Sequence, residues 1–204
     1  MKSWKQYFID LTIAVASKSK DPSRQVGCVI VGPDSEIRST GFNGFPRGVR
    51  ETSNFEHEVV DVDKDIQTQN TLYKCSCGKI IEDKYSDDIN KVPAHFGDRD
   101  KVLSRRWDRP QKYQYVEHAE RNAIYNAARM GVPLNGCIAF VSLAPCVGCS
   151  RALAQAGIVE VYGPAFPAAD DITYTEYHFD IAQIILQEAG INYYGTEYAP
   201  EDTA

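Results

Sequence analysis

Apolar residues recur at helical spacing near the start of the chain. In WKQYFIDLTIAVASKS, residues 4–19, Tyr7, Leu11, Ala14 and Val15 share one face, and Phe8 and Ile9 widen it. The spacing predicts a helix. VGCVIVG, residues 26–32, is instead an unbroken apolar run rich in β-branched residues and followed by proline, the pattern of a buried strand meeting a turn. EIRSTGFN, residues 36–43, is short enough to return beside it as a hairpin partner. From about residue 50 to 115 no period is sustained, and stretches such as VVDVDKDIQTQNT and EDKYSDDINK are polar and charge-rich. A connection that long inside a compact domain marks a functional or disordered insert. The expected organisation is one domain over 1–204, interrupted by a polar insert at about 52–106.

Regular patterning resumes at EHAERNAIYNAARMG, where good helix formers surround Ala119, Ile124, Ala127 and Ala128 and Gly131 supplies a stop. CIAFVSL (137–143) reads as a strand, CVGCSRALAQAG (146–157) as a helix and IVEVYG (158–163) as a strand. YTEYHFDIAQIILQEAG (174–190) reads as one further helix and INYYG (191–195) as a last strand. Helices alternating with strands predict an α/β sandwich built around a sheet.

The chemistry-bearing residues fall at the starts of two of these helices. His118 and Glu120 open one, and Cys146 and Cys149 open the next. One imidazole and two thiolates are three zinc ligands, and an open fourth position is the catalytic rather than the structural pattern. Zinc lowers the pKa of a water in that position toward about 7, so hydroxide becomes available at neutral pH. Glu120, two residues beyond His118, is too close to ligate easily and is placed to shuttle a proton. A lone Cys-x-x-Cys could be a redox pair or part of a structural site. The accompanying His-Ala-Glu argues against the first, and no fourth ligand nearby in sequence supports the second. The combined H-x-E…P-C-x-x-C pattern is the signature of zinc nucleobase deaminases.

Composition narrows the partners. The 204 residues carry a net charge of −6, which argues against a broad nucleic-acid-binding surface but leaves room for a local basic pocket. Hydrophobic content of 43% and charged content of 25% are ordinary globular values. The first twenty residues show no secretory h-region, and no apolar run approaches the roughly 18 residues that span a bilayer. Six cysteines are too sparse for a disulfide scaffold, so reduced thiols or metal ligands are expected, in a cytoplasmic protein.

Four stretches, WKQYFIDLTIAVASKSKDPSRQVGCVIV, TGFNGFPRG, KYQYVEHAERNAI and LAPCVGCSRALAQAGI, together resemble the deoxycytidylate (dCMP) deaminase family of the cytidine deaminase superfamily, a family common in bacteriophages and also cellular. The resemblance implies a three-layer α/β/α sandwich with a five-stranded mixed sheet. It implies zinc held by His118, Cys146 and Cys149, with Glu120 as general acid and base for conversion of dCMP to dUMP, the precursor for thymidylate synthesis. By the same resemblance Asn43 contacts the substrate sugar, although on its own the Asn-Gly pair reads as a turn. Ala119 offers its backbone to the base edge, and Ser142 and Leu143 form a pocket wall.

Phosphate ligands must be local in an acidic protein. Arg24, Arg47, Lys112, Arg121 and Arg129 are candidates, against a solvated-surface role for each; Arg24 and Arg121 are assigned to the substrate. Gly41, Phe42, Gly44, Arg47 and Arg129 are assigned to a regulator site. The resemblance implies a homo-hexamer activated by dCTP with Mg²⁺ and inhibited by dTTP, with no membrane or nucleic-acid partner, working in the cytoplasm, the host's if the chain is of phage origin. Cys28 and Cys137 lie in apolar runs and read as small buried hydrophobes, and His178 as a surface or packing residue. Cys75 and Cys77 are either free thiols or, with His57 and His95, a second metal site. Rival functions are a tRNA or other polynucleotide deaminase, a deaminase that also accepts dCTP, and a non-catalytic nucleotide sensor. The intact Glu120 argues against the last.

Overall fold

In the computed structural model, which describes residues 2–49, 59–64, 71–75, 80–83, 107 and 112–196, the apolar run becomes strand β1 (Gly27–Val31), buried along its whole length. Cys28 and Ile30 join one core and Val29 and Val31 another, because successive side chains of a strand face opposite ways. A strand covered on both faces has no polar side to show, which is why its sequence does not alternate.

β2 (Ile37–Phe42) pairs antiparallel with β1 as the expected hairpin. On the other side β6 (Ile138–Val141) is antiparallel to β1, and β7 (Glu160–Pro164) and β8 (Asn192–Thr196) continue in parallel. The order is β2-β1-β6-β7-β8, a five-stranded mixed sheet. Helix α1 (Trp4–Ala16) covers one face, with Phe8 against Phe140 and Val29 nearby in the same core. Its close approach depends on Gly27, where a Cβ would lie 2.2 Å from the Thr12 carbonyl oxygen. Helices α3 (Ala119–Met130), α4 (Val147–Gln155) and α6 (Phe179–Glu188) contribute Ala123, Leu153 and Leu186 to the opposite core. The architecture is the expected three-layer α/β/α sandwich around a five-stranded mixed sheet.

β2 is an edge strand, whose free backbone groups need a partner. Helix α3 supplies it: Asn122 Nδ2 donates to the Phe42 carbonyl at 2.8 Å and Asn126 Nδ2 to the Thr40 carbonyl at 2.9 Å. In return Ser39 Oγ donates to the Ala123 carbonyl at 2.7 Å. These bonds tie the helix carrying the His-Ala-Glu motif to the sheet.

One sequence expectation changes. The helix predicted over 174–190 is two helices, α5 (Ile172–Glu176) and α6, separated by Tyr177 and by His178 at φ 50°. The Tyr177 carbonyl accepts the Val147 N–H at 3.1 Å, at the start of α4. In a continuous helix it would accept from residue 181 instead. A long-range bond therefore displaces a local one, and periodicity cannot register that.

The chain forms two compact units, residues 1–44 with 116–204, and residues 45–115. The second contains a three-stranded antiparallel sheet, β3 (Val59–Lys64), β4 (Thr71–Cys75) and β5 (Ile80–Asp83), and the short helix α2 (Lys112–Tyr115). Phe45 packs edge-on against Trp107, ring centroids 4.6 Å apart. Sequence patterning assigns no element there, since these stretches are polar and charge-rich and hold no unbroken apolar run like that of β1. Among the described residues, no helix is long and apolar enough to cross a membrane.

Candidate metal centre and active site

Two helix starts meet at one edge of the sheet. The approach to α3 is fixed by a pair of backbone bonds, Gly44 N–H to the Glu117 carbonyl at 3.1 Å and Glu117 N–H to the Gly44 carbonyl at 2.8 Å. His118 then caps α3 with extended backbone, and Cys146 caps α4 in the same way. Neither side chain bonds its own helix as a cap, so both are available to a shared centre. Cys149 follows one turn into α4 and is fully buried.

His118 Nδ1 lies 3.5 Å from Cys146 Sγ and 3.4 Å from Cys149 Sγ, and all three ligand atoms fall within 4.8 Å of one another. Tetrahedral zinc with Zn–S of about 2.3 Å and Zn–N of about 2.0–2.1 Å requires N···S separations of about 3.5–3.6 Å. The three residues fit a zinc ion, and a donor set of two soft thiolates and an imidazole suits that metal. Among the described residues, no fourth Cys, His, Asp or Glu joins the group.

Charge is concentrated there. The hydrogen bond from the Cys149 thiol, followed by that from His118, lowers the Cys146 thiol to about 3 against the opposing effect of burial. Cys149 is pushed up by the same bond and by burial, so the pair releases one proton readily and the second reluctantly. Burial works against the His118 imidazolium. The hydrogen bond to Cys146 and the negative charges of Glu120 and Cys146 outweigh it, and its pKa rises. Glu120 is only 3% exposed, and burial raises its carboxyl above the ordinary value. A cation bound by the three ligands would relieve the mutual repulsion of these groups.

The other sequence candidates take several places. Ala119 is fully buried and begins α3, so its N–H is one of the first-turn donors that a helix cannot pair internally. Ser142 Oγ accepts the Gly27 N–H at 2.9 Å, and half-buried Leu143 packs on the core. Asn43 is buried and bonded to the loop that carries Arg24. Arg121 is held by Glu117 Oε1 at 2.5 Å and lies over Gly148, where a Cβ would be 3.3 Å from its Nη1. Its guanidinium therefore adjoins the cysteine loop. Gly41 is buried beneath α3, Phe42 and Arg129 are exposed, and Arg47 and Lys112 belong to the second unit. Cys28 and Cys137 are buried free thiols, and His178 is exposed. Cys75 closes β4, while His57, Cys77 and His95 lie outside the described residues.

Three residues not read from the sequence matter to this geometry. Tyr177 sets its ring edge-on to His118, centroids 6.4 Å apart. Glu117 accepts the His118 N–H at 3.1 Å while holding Arg121, and buried Asp21 bonds Asn43 at 2.9 Å. The two acids adjoin recognisable motifs, but only their distant partners reveal what they do. Tyr177 carries no local signal.

Comparison with known proteins agrees with this arrangement. The family described as cytidine and deoxycytidylate deaminase zinc-binding region matches residues 2–163. The deoxycytidylate deaminase of Homo sapiens is 28% identical over 91% of this chain and 79% of its own. That of Enterobacteria phage T4 is 30% identical over 80% of this chain and 81% of its own. Among solved structures, the dCMP deaminase of cyanophage S-TIM5 in complex with dCMP and dUMP shares the fold, with a TM-score of 0.55 at 18% identity over 96% of this chain and 99% of that one. With the family pattern spanning most of the chain and three side chains suited to a metal gathered beside a buried glutamate, this chain belongs to the cytidine and deoxycytidylate deaminase family of zinc-binding enzymes.

Proposed function

We propose that the protein hydrolyses dCMP to dUMP and ammonia, supplying the precursor for thymidylate synthesis. The observation that carries this reading is the His118, Cys146 and Cys149 group with the buried carboxyl of Glu120 beside it. His118, Cys146 and Cys149 would hold zinc, which when bound supplies Lewis-acid activation of a water molecule. Glu120 takes a proton from the attacking water and delivers it to the ring nitrogen next to the amine-bearing carbon. It then helps to protonate the departing amine, so the C–N bond breaks as ammonia leaves. Burial suits this work, because a raised pKa brings the carboxyl closer to the working pH, so that it takes a proton more readily than an exposed one and can still give it up.

Substrate binding is assigned to the Ala119 N–H for the base edge, the wall at Ser142 and Leu143, and Asn43 Oδ1 for a sugar hydroxyl. Arg24 and Arg121 are the phosphate candidates. Arg24 suits that role better, since the Arg121 guanidinium is engaged by Glu117. Regulation by dCTP with Mg²⁺ and by dTTP, through Gly41, Phe42, Gly44, Arg47 and Arg129 in a hexamer, is part of the same proposal. So is the reading of one deaminase domain carrying an insert, in a cytoplasmic setting. Its support is the likeness to deoxycytidylate deaminases.

Steady-state kinetics on dCMP, CMP, dCTP and a tRNA substrate test the proposal. dCMP is expected to have the highest kcat/KM, with sigmoidal kinetics made hyperbolic by dCTP and Mg²⁺. Deamination of tRNA in preference to dCMP would overturn it. Metal analysis of active protein is expected to find one zinc per chain, and a second zinc would point to Cys75 and Cys77. Cys149→Ser removes one of three ligands, and is expected to lose zinc on desalting and activity with it.

A further inference from the structure

Asn43 directs both of its amide hydrogens into the protein. Nδ2 donates to Asp21 Oδ2 at 2.9 Å and to the Arg24 carbonyl at 2.9 Å, while Oδ1 accepts the Val26 N–H at 2.8 Å. Two acceptors on one side and a donor on the other fix the orientation of the amide. Asp21 turns its second oxygen to the same loop, where Oδ1 accepts from Ser23 N–H at 2.8 Å and Arg24 N–H at 3.2 Å. Ser19 joins the two, donating from Oγ to the Asn43 carbonyl at 2.8 Å and accepting the Asp21 N–H at 3.2 Å. Ser19, Asp21 and Asn43 are 3%, 4% and 6% exposed.

The consequence falls on Arg24. Its N–H is bonded to Asp21 and its carbonyl to Asn43, so its backbone is fastened on both sides while its side chain is exposed. The same Asn43 lies at the end of β2, one residue before the Gly44–Glu117 bridge that leads into His118. Asp171 caps α5 through its bonds to Thr173, which with a smaller effect of the Arg24 charge hold its carboxyl below the ordinary value, and that segment leads to Tyr177 beside His118. Arg24 is thus carried on a loop bonded to the segment that leads into His118.

We propose that Asp21 and Asn43 form a buried clamp that fastens the Arg24 backbone, so that its exposed guanidinium is presented to the substrate's phosphate. They are positioning residues, acting through Arg24. This rests on the reading of dCMP as substrate. It also limits what Asn43 can do for a sugar: with both amide hydrogens engaged, Asn43 accepts from a hydroxyl through its remaining Oδ1 lone pair and does not donate to one. A guanidinium suits a phosphate because its planar donors bind two oxygens at once, and a backbone fixed at its base limits where that side chain can reach.

The test compares dCMP with deoxycytidine, which lacks the phosphate. Arg24→Gln, an exposed substitution, is expected to raise KM for dCMP at least tenfold, with kcat within threefold and deoxycytidine kinetics within threefold of wild type. Asp21→Asn, or the milder Ser19→Ala, is expected to shift KM for dCMP in the same direction and to add nothing in the Arg24→Gln background. Retention of the dCMP preference by Arg24→Gln overturns the proposal. So do an equal loss on both substrates in Asp21→Asn and multiplying effects in the double variant. If the wild-type protein does not prefer dCMP, the substrate reading fails separately. The clamp is then judged by amide hydrogen exchange over residues 19–26, which Ser19→Ala or Asp21→Asn must accelerate at least tenfold, and unchanged exchange overturns it.

Discussion

Glu120→Ala is expected to retain zinc while losing turnover of dCMP by about 10²- to 10⁴-fold, the range over which a positioned general acid–base acts. The separation of effects follows from the geometry. The three candidate ligand atoms sit on His118, Cys146 and Cys149, so removing the Glu120 carboxyl leaves that group whole. Glu120 is buried at 3% exposure, so its loss leaves a small cavity and removes a carboxyl that burial already disfavours as a charge. Zinc content by elemental analysis, measured beside kcat, checks both halves. Activity like that of wild type would remove Glu120 from the chemistry, and loss of zinc would mean that the carboxyl supports the metal instead.

The second large effect lies away from the metal. Gly41 sits in β2 directly beneath α3, and a Cβ there would be 2.3 Å from Ala123 N and 2.4 Å from the Ala119 carbonyl oxygen. Both are backbone atoms and cannot rotate aside, so Gly41→Ala must push the helix off the sheet. Overpacking of this kind costs about 1–3 kcal/mol. Because α3 carries His118 and Glu120 at its start, a shift on the order of 1 Å there is expected to lower kcat/KM by about 10²-fold. Gly195→Ala provides the contrast: its Cβ would meet only Ala165, at 3.8 Å and beyond, and stability is expected to stay within about 0.5 kcal/mol. Urea denaturation and dCMP kinetics on the two variants check the comparison. Equal behaviour would show that the helix tolerates displacement.

The Gly41 contact also shows where sequence reasoning stops. The strand over 27–31 and its hairpin partner were legible because a buried run and a short return leave local marks. So were the helix starts at His118 and Cys146, since each motif sits against a change of period. The TGFNG motif, by contrast, shows nothing of how Gly41 packs. The structure gives that glycine a packing duty that depends on a helix about eighty residues away. The break at Tyr177 and His178 escaped for the same reason, because the Tyr177 carbonyl bonds Val147, thirty residues earlier.

Taken alone, the sequence determined the element types in the deaminase framework, and it named the three side chains that the fold gathers as a candidate metal centre and the acid two residues beyond the histidine. Those properties are carried by short spacings, which a chain displays before it folds. Only the tertiary structure decided what stands around them. It set Arg121 against Glu117 and the cysteine loop, turned Asn43 toward Asp21, and put the Tyr177 ring at His118. Each of these is a hydrogen bond, ion pair or ring contact of a single side chain, and in the last two the partners lie tens of residues apart. Such partners are chosen by the packing of whole elements, and no local pattern specifies them.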